Sequence, residues 1–127
     1  MDEHTHHDQL MESIAKEYQD IFENSEQGMY IYLDDVHKVC NEKFAALLGY
    51  EFADEWSKIA ESFPDVFVAP ESRETLVDAF MDAMEKNTAS TNEIVWKKKD
   101  GSTEKTTVIL VPISHEGHLF ALHFVLV

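Results

Sequence analysis

A single cysteine, Cys40, is all the chain has, so no internal disulfide can form and a reducing, cytoplasmic setting is expected. Basic residues are scarce: 10 Lys+Arg stand against 25 Asp+Glu, a net charge of 10 − 25 = −15 at pH 7. A surface of this sign repels phosphate, which argues against nucleic acid and anionic membranes as partners. The one basic cluster, Lys97-Lys98-Lys99, sits beside a turn signal and reads as a solvated hairpin tip. Long hydrophobic runs are absent. The runs present, such as residues 119–122, are of strand length, far below the roughly 20 residues of a membrane span. No basic stretch followed by an apolar one opens the chain, so no secretory signal is expected. No period of 20–50 residues repeats, and no Gly-rich phosphate loop, metal-spaced His/Cys set or Gly-x-Ser-x-Gly elbow occurs.

What is present suits one folded domain. The 127 residues are 44% hydrophobic and 11% aromatic, enough to build a core without staples. Residues 1–9 are polar and aperiodic and are expected to be a frayed, disordered terminus. His4, His6 and His7 have metal-ligand chemistry, but such a terminus offers them no second shell, so no metal site is expected. Over residues 10–24 the spacing turns helical. Met11, Ile14, Tyr18 and Ile21 form an apolar stripe, widened by Leu10 and Phe22. The stripe can be buried on its own domain or on a second copy.

Residues 25–127 form the domain proper. Residues 28–33 alternate and are rich in β-formers, Asp34-Asp35 marks a turn, and residues 36–40 complete a hairpin. Asn41 reads as the N-cap of a helix that carries Phe44, Leu47 and Leu48 and stops at Gly49. Short helical turns interrupted by Pro64 follow. A long helix is expected over 71–86, with Ser72 as a cap and Leu76, Val77, Phe80, Met81 and Met84 on its buried face. Strands over 93–97, 106–113 and 118–127 are separated by Asp100-Gly101 and Glu116-Gly117. Pro112 suits an edge or a bulge. The expected fold class is α+β: a five-stranded antiparallel sheet with helices packed on one face and an N-terminal flanking helix.

On this framework four motifs fall in order. They are Ile21-Phe22-Glu23-Asn24-Ser25, Asn41-x-x-Phe44-x-x-x-x-Gly49-Tyr50, Pro70-Glu71-Ser72-Arg73 and Lys99-Asp100-Gly101-Ser102. From about Tyr18 to Val127 the chain resembles a PAS domain. The resemblance implies a sheet curled around a small cavity, a sensory or dimerisation role, and signalling through the N-terminal helix or the last strand. The reactive cysteine of flavin-binding members is missing, since Cys40 precedes Asn41, and residues 71–87 offer no axial histidine for haem. The cofactor is therefore left unassigned. No Asp-Ile-Thr exit motif and no output domain follow, which points to a module acting in trans or a fragment of a larger sensor.

Strand parity drafts the site. With the bulkiest apolar residues turned inward, the ligand cavity is lined by Met29, Ile31, Leu33, Phe44, Leu48, Trp56, Phe67, Leu76, Phe80, Met84, Ile94, Trp96, Leu110, Phe120, Leu122 and Phe124. Such a pocket suits a small apolar ligand or none. Tyr30, Tyr32, His123 and Val125 then face outward and join Met11, Ile14, Tyr18 and Ile21 in a homodimer interface. The opposite parity would put His123 in the pocket. The leading reading is a non-catalytic sensory and protein-interaction module. The alternatives are a filled-core scaffold and a small isomerase- or hydrolase-type enzyme, which would need a carboxylate on a cavity-facing strand position.

Overall fold

The computed structural model describes residues 3–127, with side chains from His6 onward; the His4 side chain lies outside the described residues. The flanking helix begins earlier than its apolar stripe. Helix α1 spans Glu3–Glu17, so residues 3–9, expected to be part of a frayed, disordered terminus, continue the same helix. A short second helix, α2 (Gln19–Asn24), follows a break at Tyr18. Strand β1 (Gly28–Asp34) and strand β2 (His37–Cys40) form the expected hairpin, in which Asp34 Oδ1 accepts the Val36 N–H at 3.0 Å.

Asn41 ties the next junction. Its Oδ1 accepts the N–H groups of Phe44 and Met29, both at 3.0 Å, and its Nδ2 donates to the carbonyls of Gln27 (2.9 Å) and Phe22 (3.3 Å). One side chain thus caps helix α3 (Glu42–Leu47) and fixes its angle to β1. Gly28 permits this approach: a Cβ there would lie 3.3 Å from the Phe44 backbone. Gly49, at φ +84°, ends the helix in the left-handed conformation. Helices α4 (Ala53–Ser57) and α5 (Phe63–Phe67) follow, with Pro64 in the first turn of α5, where its missing N–H costs nothing. Pro64 therefore helps to start a helix and does not interrupt one.

The long helix, α6, spans Pro70–Lys86. Ser72 does not cap it. The Ser72 hydroxyl instead accepts the Val95 N–H at 2.9 Å and pins α6 to the sheet. Its buried face is Ser72, Leu76, Ala79 and Ala83, while Val77 and Met81 are exposed. The expected stripe is rotated because small alanines, and not the larger residues, let α6 approach Leu110 and Ala121 closely. Strands β3 (Ser90–Lys97), β4 (Thr103–His115) and β5 (His118–Leu126) complete the sheet.

The sheet is antiparallel throughout, in the order β2-β1-β5-β4-β3, so the first and last strands are neighbours. Pro112 pairs with Ala121 of β5, but β3 begins opposite Leu110, so Pro112 lies at a local edge. Helices α3–α6 cover one face. Helix α1 covers the other, where Leu10, Met11 and Ile14 pack on Met29, Ile31, Phe120 and Leu122.

Candidate functional site

The register decides which side chains enter the interior. On β1 and β5, Met29 pairs with Phe124, Tyr30 with His123 and Ile31 with Leu122. Directly paired residues of an antiparallel ladder share a face. Tyr30, Val125 and Val108 pack with Phe44, Trp56, Phe67, Ile94 and Trp96 beneath the helices. Met29, Ile31, Leu33, Phe120, Leu122 and Phe124 lie on the opposite side, packed against α1. The parity expected from bulk is thus inverted on these two strands. Tyr30, His123 and Val125, expected at a dimer surface, are inside.

The remaining expected interior residues divide in two. Phe44, Leu48, Trp56, Phe67, Leu76, Ile94 and Trp96 belong to the main aromatic cluster. Leu110, Phe80 and Met84 gather under α6 with Ala79, Ala83 and Ala121. Met11 and Ile14 are buried within the chain itself. Of the residues expected at an interface, Tyr18 and Tyr32 are half-buried and only Ile21 is exposed.

A cavity of about 50 Å³ lies between the sheet and helices α5 and α6, lined by Tyr30, Tyr32, Phe63, Pro64, Leu76, Val77, Phe80 and His123. Two of these, Leu76 and Phe80, were expected in a pocket. Tyr30 is its hub. Its ring stacks on His123 at 3.9 Å and 9° and on Phe44 at 4.7 Å and 22°, and meets Trp96 and Trp56 edge-on at 5.8 Å. Its hydroxyl is buried and has no hydrogen-bond partner among the described residues, so it is an unused polar group on the lining. Burial drives the Tyr30 pKa well above its ordinary value, leaving a neutral phenol. The Tyr32 hydroxyl, by contrast, donates to Asp35 Oδ1 at 2.8 Å, and burial, that bond and the nearby acids raise its pKa.

His123 is held to the neutral form because burial lowers its pKa to about 3. Its Nδ1 lies 3.1 Å from the Ala121 carbonyl, which fits Nδ1–H as donor and leaves Nε2 as an acceptor. The site is therefore uncharged at neutral pH: aromatic walls, one phenol and one neutral imidazole. None of its described lining residues is a carboxylate. The buried Trp96 indole N–H donates to the Thr106 hydroxyl at 2.8 Å.

The chain's buried lysine was not foreseen. Lys38 Nζ donates to the carbonyls of Ile59 (2.5 Å) and Asp35 (2.6 Å) and lies 5.4 Å from the Trp56 ring centroid. Burial lowers its pKa, and the acids nearby oppose that shift. Its work is to hold the α4–α5 connection to the hairpin. Cys40 is buried at the end of β2, and burial pushes its thiol pKa up, as suits an inert packing residue. Wider grooves of about 480 Å³ beside α2 and about 600 Å³ beside the β5 terminus are open surface features.

A five-stranded antiparallel sheet with helices on both faces, and a small cavity beneath the helices of one face, defines an α+β domain. The comparisons agree. A family model described as a PAS domain matches residues 16–81, just over half of the chain. The chain belongs to the PAS domain family, whose members are typically sensory and signal-transduction modules. Solved structures share the fold. A PAS domain of an HTR-like protein from Haloarcula marismortui is 22% identical, with a TM-score of 0.60, over 95% of this chain and 97% of that one. A PAS domain from Colwellia psychrerythraea is 21% identical, with a TM-score of 0.67, over 88% and 94%. A PAS domain of a LuxR-family transcriptional regulator from Burkholderia thailandensis, solved in complex with ethanol, is 18% identical, with a TM-score of 0.61, over 84% and 94%. No curated protein sequence matches the chain. No described helix is long and apolar enough to cross a membrane.

Proposed function

We propose that the chain is a non-catalytic sensory module that takes a small, mostly apolar ligand between β1, β5, α5 and α6 and passes its occupancy to a partner protein in trans. The observation that carries this reading is the buried, unpartnered Tyr30 hydroxyl on a cavity otherwise walled by rings and aliphatic groups. Leaving such a group unsatisfied costs about 1–3 kcal/mol, which a ligand hydroxyl or carbonyl would recover. At about 50 Å³ the cavity holds only a few heavy atoms, far below the 300–1,000 Å³ of sites for drug-sized ligands. A short alcohol or ketone fits these dimensions. The ethanol held by the Burkholderia domain is of that chemical class. The absence of a carboxylate from the lining supports a binding role over the isomerase or hydrolase alternative.

The same reading makes the protein a cytoplasmic homodimer. Its contact would lie at Ile21, which the folded chain leaves exposed, with half-buried Tyr18 and Phe22 beside it. Sedimentation of wild type against Ile21→Glu should show a dimer turned to monomer; a wild-type monomer at micromolar concentration would remove the dimer. For the pocket, NMR titration of the full chain with ethanol and 2-butanone should shift the signals of Tyr30, Phe80 and His123. Tyr30→Phe should weaken binding about three- to tenfold, equivalent to roughly 1 kcal/mol for the lost hydrogen bond. Unmoved cavity signals would defeat the ligand reading.

A further inference from the structure

Four of the chain's seven histidines converge at one end of the sheet, although they come from three separate stretches of sequence. His6 and His7 sit on α1, His37 opens β2 and His118 opens β5. The rings of His7 and His37 are 5.4 Å apart edge-on, His6 and His118 are 5.0 Å apart, and His7 and His118 are 6.4 Å apart. Two carboxylates complete the group. Asp34 Oδ1 lies 2.7 Å from His37 Nδ1, Asp34 Oδ2 lies 3.6 Å from His7 Nδ1, and Asp8 Oδ1 lies 2.7 Å from His37 Nε2.

We propose that His7, His37 and Asp34 form a binding site for a divalent transition metal of the zinc class, and that the ion clamps α1 to the β1–β2 hairpin. One ligand atom from each of the three lies within 4.8 Å of the others. A tetrahedral zinc site, with bonds of about 2.0–2.1 Å, needs donor separations of about 3.3 Å, so modest side-chain rotations close the set. Two imidazoles and a carboxylate are the donors that favour zinc, nickel, cobalt or copper over magnesium or calcium.

His37 is prepared for the role. It is buried, 4% exposed, and Asp8 holds its Nε2, so the ring is oriented as in a carboxylate–histidine–metal relay. Metal at Nδ1 would take the place of the proton shared with Asp34, and that proton would leave to solvent. Water would fill the fourth position. Because α1 covers the outer face of the sheet, occupancy at this end would favour its docked state through the ion's own bonds.

The experiment uses the full chain stripped of metal with a chelator. Calorimetric titration with zinc, and visible absorption with cobalt as a geometric probe, should show one equivalent bound and a rise in Tm on loading. His7→Gln and Asp34→Asn should each weaken binding about tenfold or more and abolish the tetrahedral cobalt bands while circular dichroism stays unchanged. His118→Gln should bind as wild type does. Three results would overturn the proposal: no stoichiometric binding by wild type, wild-type affinity in Asp34→Asn, or wild-type affinity in His7→Gln. If His37→Gln fails to fold, Asp34→Asn still decides, since Asp34 lies outside the terminal run. None of these outcomes depends on the cavity's ligand.

Discussion

At the scale of single residues, polar side chains inside the domain carry much of its specificity. His123 is neutral because burial lowers its pKa from 6.5 to about 3. Between those values the unfolded chain binds the proton and the folded chain does not, so this stabilising contribution is complete above about pH 6.5 and is lost as pH falls toward 3. Chemical denaturation of wild type and His123→Phe should therefore differ with pH. Between pH 7.5 and 5 wild type should lose about 2 kcal/mol relative to the variant. A constant difference would mean that His123 does not titrate in this way. Asn41 makes four hydrogen bonds that join α2, β1 and α3. Asn41→Ala should cost about 2–3 kcal/mol, more than an isolated cap, because a buried strand N–H is also orphaned. Denaturant midpoints at unchanged m-value would measure it.

At the scale of elements, α1 is the second wall of the sheet. Ile14 is fully buried and packs with Leu10 and Met11 on Ile31 and Phe120, whereas Ile21, one helix on, is 51% exposed. Ile14→Ala should cost about 2–4 kcal/mol and Ile21→Ala less than about 0.5 kcal/mol, by urea unfolding. Similar costs would mean that α1 does not dock as described. Both residues lie on the same sequence stripe, so periodicity could not separate them; the break at Tyr18 does. Periodicity identified helices over 10–24 and 71–86, and turn chemistry located the hairpins. Helix α6 shows the limit. Counting apolar residues selected Val77 and Met81, but close packing selected Ala79 and Ala83, because distance to the sheet and not side-chain size sets that contact. Ser72 and Lys38 were illegible for a related reason: the Val95 N–H and the Ile59 carbonyl that they bond are remote from them in sequence.

At the scale of the whole molecule, charge and layering dominate. With a net charge of −15 the folded state carries self-repulsion, and the Lys–carboxylate pairs among the described residues are mostly long, such as Lys98–Glu104 at 3.8 Å. Raising sodium chloride from about 20 mM to about 0.5 M shortens the screening length several-fold and should raise Tm by several degrees. A falling Tm would show that the ion pairs outweigh the repulsion. The sequence by itself determined the fold class, the element order, the turns and the family resemblance, because these depend on local spacing and on residues with restricted backbone preferences. It also determined that Tyr30, Tyr32, His123 and Val125 share a face. Only the tertiary structure decided which face that is. Both sides of β1 and β5 are covered, one by α1 and one by α3–α6, so both are apolar and a period of two carries no sign. The aromatic groups with polar tips went inward, where Tyr30 and His123 stack, and the purely aliphatic and phenylalanine set went beneath α1. The gathering of His7, Asp34 and His37 was hidden in the same way: it exists only because docking α1 across the hairpin brings residues some thirty positions apart to within 4.8 Å.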